Sequence, residues 1–163
     1  MVKYKYCPVC GSELNKKEID GRERSYCKTC SWVHYKNPLP ATAALVVNDR
    51  DEILLIKRKK EPYKNAWALP GGFIEIDETL ENGALRELKE ETNISGIVKK
   101  KVDVVLHDSD MYGAVLIIGF EICPIDHDVV PGDDAIDAKY FSKNKMPEIP
   151  IKTHRQLLSA FLN

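Results

Sequence analysis

The chain has 163 residues, with 24 Lys and Arg against 25 Asp and Glu and a formal net charge of −1. That length supports one sizeable core plus a small appendage, and the near-neutral balance argues against nucleic acid as the main partner. No apolar run approaches the ~20 residues of a membrane span, and no apolar signal segment follows the opening Met-Val-Lys-Tyr-Lys, so a soluble, cytoplasmic protein is expected.

The first chemical signal in chain order is a pair of Cys-x-x-Cys steps, Cys7-Pro-Val-Cys10 and Cys27-Lys-Thr-Cys30. Their separation falls in the range of a four-cysteine zinc site. Two disulfides are the rival reading, which a cytosolic setting disfavours. Gly11 suits the tight knuckle after the first pair, and Ser31 stands where the second pair would have a glycine. The ligand set is closed, so Zn²⁺ here is structural and supplies the folding free energy of a ribbon too small for its own core. Lys and Arg alternate with Tyr4, Tyr6, Tyr26 and Trp32 in this stretch, but Glu13, Glu18, Asp20 and Glu23 interrupt them. A scaffold role, or a contact in a homodimer, is favoured over nucleic-acid binding. Residues 1–36 are expected to be this ribbon and 37–163 the second domain.

Asn37-Pro-Leu-Pro40 is expected to be the linker, since two prolines in four residues resist helix and ladder alike. Strand-like runs follow at 41–47 and 53–57 around the turn at 48–51. Lys57, Arg58, Lys59 and Lys60 either steer a polyphosphate or form a solvated edge. Trp67-Ala-Leu-Pro70 then leads into a glycine turn, where Trp67 reads as packing.

A helix is expected over about 79–92. Leu80, Ala84, Leu85 and Leu88 form its apolar stripe. Glu87, Glu90 and Glu91 gather on an adjoining face. Carboxylates ~4 Å apart would repel by about 4 kcal/mol per pair at an effective dielectric near 20, and a divalent cation resolves that conflict. Hard oxygen donors without His or Cys favour Mg²⁺ or Mn²⁺. A solvated acidic face is the plainer alternative. Gly83, inside the helix, is expected to leave room for a hydrated cation or a phosphate.

Further strands are expected at 98–106, 114–122 and 138–141, with Cys123 a buried free thiol. A closing helix runs through Leu157, Leu158 and Phe161, with Thr153 as its N-cap. His34, His107, His127 and His154 show no metal spacing and read as structural or surface groups. The segment Pro131-Gly-Asp-Asp-Ala135 is either an ordinary Asp-rich turn or a source of catalytic carboxylates.

Gly72, Glu78, Arg86-Glu87, Leu88, Glu90-Glu91 and Ile94 stand in one frame that resembles the box of the Nudix hydrolases. Asn93 replaces the family's second glycine, and asparagine is the usual substitute at a helix C-terminus. The resemblance implies an α+β chain, a Nudix α/β/α sandwich with a small N-terminal zinc ribbon. It implies that Glu87, Glu90 and Glu91 bind Mg²⁺ or Mn²⁺, with a carbonyl of Gly71 or Gly72, and that Arg86 orients Glu87 or pairs with Glu78. Glu90, Asp133 and Asp134 compete for the base that takes the proton of the attacking water.

The layout of ribbon, proline-rich link and box is similar to that of NADH pyrophosphatases, but nothing after Ser95 matches their downstream motif. The reaction implied is hydrolysis of a nucleoside diphosphate joined to another group, ADP-ribose or a nucleotide sugar. The alternatives are a nucleoside triphosphate pyrophosphohydrolase and a nucleotide-binding regulator without turnover.

Overall fold

The computed structural model describes residues 4–132 and 134–163 and divides into two units. One unit runs up to Pro38 and takes in Asp108–Ala114, and the other comprises Leu39–His107 and Val115–Asn163.

The first unit contains a three-stranded antiparallel sheet of β1 (Asn15–Ile19), β2 (Arg22–Tyr26) and β3 (Val33–His34). Asp20 and Gly21 join β1 to β2 with φ of 53° and 70°, the double left-handed geometry for which Asp-Gly is the strongest short signal. Trp32 stacks on His34 at 5.7 Å between ring centroids, and Tyr4 meets both rings edge-on.

The second unit is a layered α+β structure. β4 (Leu39–Val46) lies parallel to β8 (Gly113–Pro124), which neighbours β7 (Gly96–Ser109). β5 (Glu52–Arg58) lies between β6 (Trp67–Ala68) and β9 (Ala135–Ser142), antiparallel to both. The period of two along β4 sends its side chains to two cores. Ala41, Ala43 and Leu45 join Ile53, Leu55 and Ile117 against Leu157 and Leu158 of helix α2 (Lys152–Leu162). Ala44 and Val46 join Leu54, Ile118 and Phe120 against Ala84 and Leu88 of helix α1 (Leu80–Thr92). Strands buried on both faces with a helix over each give the expected α/β/α sandwich. Leu88 is fully buried, which contributes ~1.5–3 kcal/mol relative to exposure.

Local chemistry sets the limits of α1. The Thr79 hydroxyl accepts from the Asn82 amide at 3.2 Å, and Asn93 ends the helix at φ 60°, the left-handed C-terminal conformation expected of it.

Four expectations need correction. Pro40 lies within β4 and not in a linker. β4 is a boundary strand of its sheet, where a residue without an N–H is tolerated, and the Pro40 carbonyl accepts from Ile74. Cys123 is exposed, because it lies next to the end of β8, beyond Ile122, the last buried position of that strand. Thr153 is not the N-cap of α2, since Ile151 holds that position and Thr153 is buried in the first turn. Gly83 does not leave room for a cation: a Cβ there would stand 2.6 Å from Ile74 Cδ1 and 2.9 Å from Glu78 Oε1, so the space is filled by the preceding loop.

Candidate active site

The site is built where the segment Leu69–Ile74 passes between β4 and α1. Along one edge β4 holds it, with Ala44 N–H donating to Pro70 O and Thr42 N–H to Gly72 O, each at 2.8 Å. Gly71 has φ +150°, and a Cβ on it would stand 2.1 Å from the Thr42 carbonyl oxygen, so only glycine fits. Gly72 faces the helix, where a Cβ would come within 2.5 Å of the Glu87 carboxyl group. The two glycines bring backbone against a strand on one side and a carboxylate on the other.

The three glutamates of α1 differ in environment. Glu91 is 4% exposed and accepts from the Gly71 amide at 2.8 Å. Burial pushes its carboxyl up to about 8 against the smaller opposing effect of that amide, and Glu87 and Asp134 raise it further. Glu87 is half-buried, and Glu90 is exposed. Arg86 donates to Glu87 at 2.8 Å and to Glu90 at 3.2 Å.

Arg86 also holds the loop that precedes the helix. Its guanidinium binds Glu78 through two bonds, Nε to Oε2 at 3.0 Å and Nη2 to Oε1 at 2.6 Å, and donates to the Phe73 carbonyl. The paired guanidinium, with a bond from the Glu75 amide, holds the Glu78 carboxyl down at about 2. Arg86 thus contacts both groups that the sequence reading offered it, Glu87 and Glu78.

Asp134 enters from a segment remote in sequence. Val130 N–H donates to Thr92 O and Gly132 N–H to Glu91 O, docking this segment on the last carbonyls of α1. Gly132 allows the approach, since a Cβ there would stand 2.6 Å from the Glu90 carbonyl oxygen. The Asp134 carboxylate pairs with Lys60 at 2.5 Å, and its charge acts on Glu91. Asp133 lies outside the described residues. Within the basic run after β5, Arg58 is near enough to oppose the rise in the Glu91 pKa.

Two further residues bear on this site: Thr42, to which no pattern points, and His154, expected only as a structural or surface group. Thr42 is 3% exposed, with a buried hydroxyl that has no hydrogen-bond partner among the described residues. His154 of α2 accepts the Leu69 N–H on Nδ1 at 3.0 Å. Burial lowers its pKa to about 4, and Arg58 and His107 lower it further. Neither residue belongs to a local motif, and their spacing to the glycine turn exists only in three dimensions.

In the ribbon the four cysteines converge, with all four sulfurs within 4.8 Å of one another. Cys7 and Cys30 Sγ are 3.5 Å apart and Cys10 and Cys27 Sγ 3.4 Å, too long for a disulfide at ~2.05 Å and suited to four thiolates around one ion at ~2.3 Å. Gly11 and Ser31 both take positive φ, and their amides donate to the Cys7 and Cys27 carbonyls. Ser31 therefore adopts the knuckle geometry despite its side chain. Among the described residues, no set of carboxylates is gathered as tightly as these sulfurs, because Arg86 holds Glu87 and Glu90 while Glu91 turns inward to Gly71.

The NUDIX domain family matches residues 37–161, and a Nudix N-terminal zinc-ribbon family matches residues 5–36. The chain is similar to the ADP-ribose pyrophosphatase of Methanocaldococcus jannaschii, at 37% identity over 153 residues that cover 93% of this chain and 86% of that one. It spans about half the length of several other curated relatives, 51% to 55%. Among solved structures, a NUDIX hydrolase from Nitrosomonas europaea aligns with a TM-score of 0.83 and 28% identity, covering 95% of this chain and 88% of that one. The NUDIX domain of Shewanella oneidensis NrtR, solved with ADP ribose, aligns with a TM-score of 0.67 and 25% identity, covering 78% and 88%.

Proposed function

The chain belongs to the Nudix hydrolase family, and from that premise we propose that it is a metal-dependent pyrophosphohydrolase that cleaves ADP-ribose to AMP and ribose 5-phosphate. The observation that carries the substrate is the likeness to the Methanocaldococcus jannaschii ADP-ribose pyrophosphatase across 86% of that protein's length. The bound ADP ribose of the NrtR domain supports the same choice.

The residues of the site fit a divalent cation. Glu87, Glu90 and Glu91 offer only oxygen donors along one helix, and Gly72, lacking a Cβ, lets the turn backbone come close to the Glu87 carboxylate. Glu91 is a buried carboxyl whose charged form is disfavoured by burial and favoured by the Gly71 amide and the field of Arg58. We assign Mg²⁺ or Mn²⁺ to these three glutamates with a carbonyl of the Gly71–Gly72 turn, and Zn²⁺ to Cys7, Cys10, Cys27 and Cys30. A divalent ion bound there polarises the phosphoryl oxygens and lowers the pKa of water.

The chain's own groups do the rest. The Gly71 amide orients Glu91, and Arg86 fixes the Phe73–Glu78 loop while keeping Glu87 and Glu90 on one side of the helix. Water attacks phosphorus, the phosphoanhydride P–O bond breaks, and the water proton passes to a carboxylate. Glu90, Asp133 and Asp134 are the equal candidates for that base, to be removed in turn. Residues 1–36 form the structural ribbon, a scaffold or homodimer contact, and residues 37–163 the hydrolase domain. No helix among the described residues is long and apolar enough to cross a membrane, and the proposed location is the cytoplasm.

The test is product release from ADP-ribose, nucleotide sugars, NADH and nucleoside triphosphates with Mg²⁺, with Mn²⁺ and with chelator. Metal-dependent AMP formation from ADP-ribose is expected. Preferential release of diphosphate from a triphosphate would overturn the substrate, and nucleotide binding without product would replace the enzyme by a regulator.

A further inference from the structure

We propose that His154 is a positioning residue for the hydrolytic site, holding the segment Leu69–Gly72 where Gly71 meets Glu91 and Gly72 meets Glu87. The inference rests on the hydrolase reading above for its consequence in turnover, and on geometry alone for its consequence in metal binding.

The segment follows β6 and bends at Pro70, and its hydrogen-bonding groups divide between two sides. One edge faces β4, where the carbonyls of Pro70 and Gly72 accept from Ala44 and Thr42. The other edge carries the amides of Leu69 and Gly71, and Pro70 between them has no N–H. Each of these amides goes to a side chain of a different helix: Gly71 to Glu91 on α1 at 2.8 Å, and Leu69 to His154 on α2 at 3.0 Å. The segment is therefore suspended between the two helices of the sandwich by one bond to each.

Leu69 is 1% exposed, so its amide has no route to water if the imidazole is removed. The acceptor is rigidly placed, because Leu157 and Leu158 on the same helix are buried in the core with Leu69 itself. An amide only donates, so Nδ1 is the unprotonated nitrogen and the ring hydrogen sits on Nε2. Without this anchor the turn relaxes toward β4 or α1. The close approaches at Gly71 and Gly72, 2.1 Å and 2.5 Å from a would-be Cβ, leave little tolerance for such a shift, and a displacement of ~1 Å at a catalytic constellation costs about 10²-fold in rate.

The experiment compares His154→Asn, His154→Gln and His154→Leu in the zinc-loaded full chain. Asn places its oxygen on Cγ, where Nδ1 is attached, whereas Gln places it one bond further out and Leu offers no acceptor. Mn²⁺ affinity is read by electron paramagnetic resonance without substrate, kcat and KM with ADP-ribose, and folding by circular dichroism. The expected result is Mn²⁺ affinity and kcat within ~3-fold of wild type for Asn, and losses of ~10-fold in affinity and ~10²-fold in kcat for Leu, with little change in KM. Gln falls between them, and it gives the comparison if the Leu protein does not fold. Wild-type Mn²⁺ affinity and kcat in a folded Leu variant, or equal values for Asn and Gln, would overturn the proposal. If wild type binds Mn²⁺ but cleaves no substrate, the hydrolase reading fails while the Mn²⁺ series still decides the role of His154.

Discussion

The amide of Gly71 donates to the Glu91 carboxylate at 2.8 Å, across twenty residues of sequence. This bond joins the two halves of the Nudix box, the glycine turn and the carboxylate-bearing helix. It also explains how a 4% exposed glutamate is accommodated beside Glu87. Neutralising Glu91 should therefore separate stability from activity. A Gln at 91 keeps an oxygen for the Gly71 amide and removes a carboxyl whose charged form is disfavoured by burial. We expect turnover to fall by at least ~10²-fold, with the melting temperature unchanged or raised in metal-free buffer. Wild-type rates in Glu91→Gln would remove Glu91 from the site.

The two glycines of the turn should fail in different ways. Gly71→Ala drives a Cβ to 2.1 Å from a backbone oxygen at φ +150°, which no side-chain motion relieves, and a loss of more than ~1 kcal/mol in stability is expected. Gly72→Ala meets only the end of the Glu87 side chain, which can swing away. Its cost should appear as weaker Mn²⁺ binding and lower kcat in a protein that melts near wild type. Chemical denaturation beside a metal titration distinguishes the two, and equal behaviour would contradict the packing described.

Arg86→Lys keeps the charge but cannot reproduce the two-bond grip on Glu78 together with the bonds to Glu87 and Phe73. A drop of ~10-fold or more in kcat is expected. The Glu78 carboxyl, held at about 2 in the wild type chiefly by Arg86, should rise toward the ordinary range. Carboxylate titration by NMR reads that change directly, and an unmoved Glu78 would mean that the pair contributes little in solution.

Acid should destabilise the fold through His154. Its folded pKa of about 4 lies below the ordinary value of 6.5, so the unfolded chain takes up the proton first. Stability is then complete above pH ~6.5 and is lost as pH falls toward 4, by up to about 3 kcal/mol from this group. Urea denaturation of wild type and His154→Asn at pH 7 and pH 4.5 isolates the contribution as a difference of differences. Parallel losses in the two proteins would rule it out.

The ribbon should bind one Zn²⁺ per chain through Cys7, Cys10, Cys27 and Cys30. Removing it with a strong chelator, or by Cys27→Ser, should unfold this unit, because a segment of this size lacks a core of its own. Metal analysis with circular dichroism checks both points. A zinc-free protein with an unchanged ribbon would refute the assignment.

Much of the box was legible in the chain itself. Its helix is specified by local rules: the Thr79 cap, Ala84 and Leu88 of the apolar stripe, whose expected member Leu80 is instead exposed, and Asn93 in the left-handed position. The cysteine pairs were equally legible, because the knuckle geometry at Gly11 and Ser31 is set within a few residues. The room expected above Gly83 is absent for a physical reason. Periodicity shows that a helix face needs space, but not what fills it, and Ile74 and Glu78 fill it from a loop whose path the sequence leaves open.

Spacings of one to a few turns settle in the chain itself which glutamates share a helix, and the box they form carries the resemblance that implied the family and the sandwich. Only the tertiary structure decided which carboxylate is buried, that Asp134 lies within electrostatic reach of Glu91, and that the Leu69 amide ends on His154. Those relationships join residues tens of positions apart. They depend on how strands and helices dock, and docking is set by the summed packing of both cores and not by any local pattern.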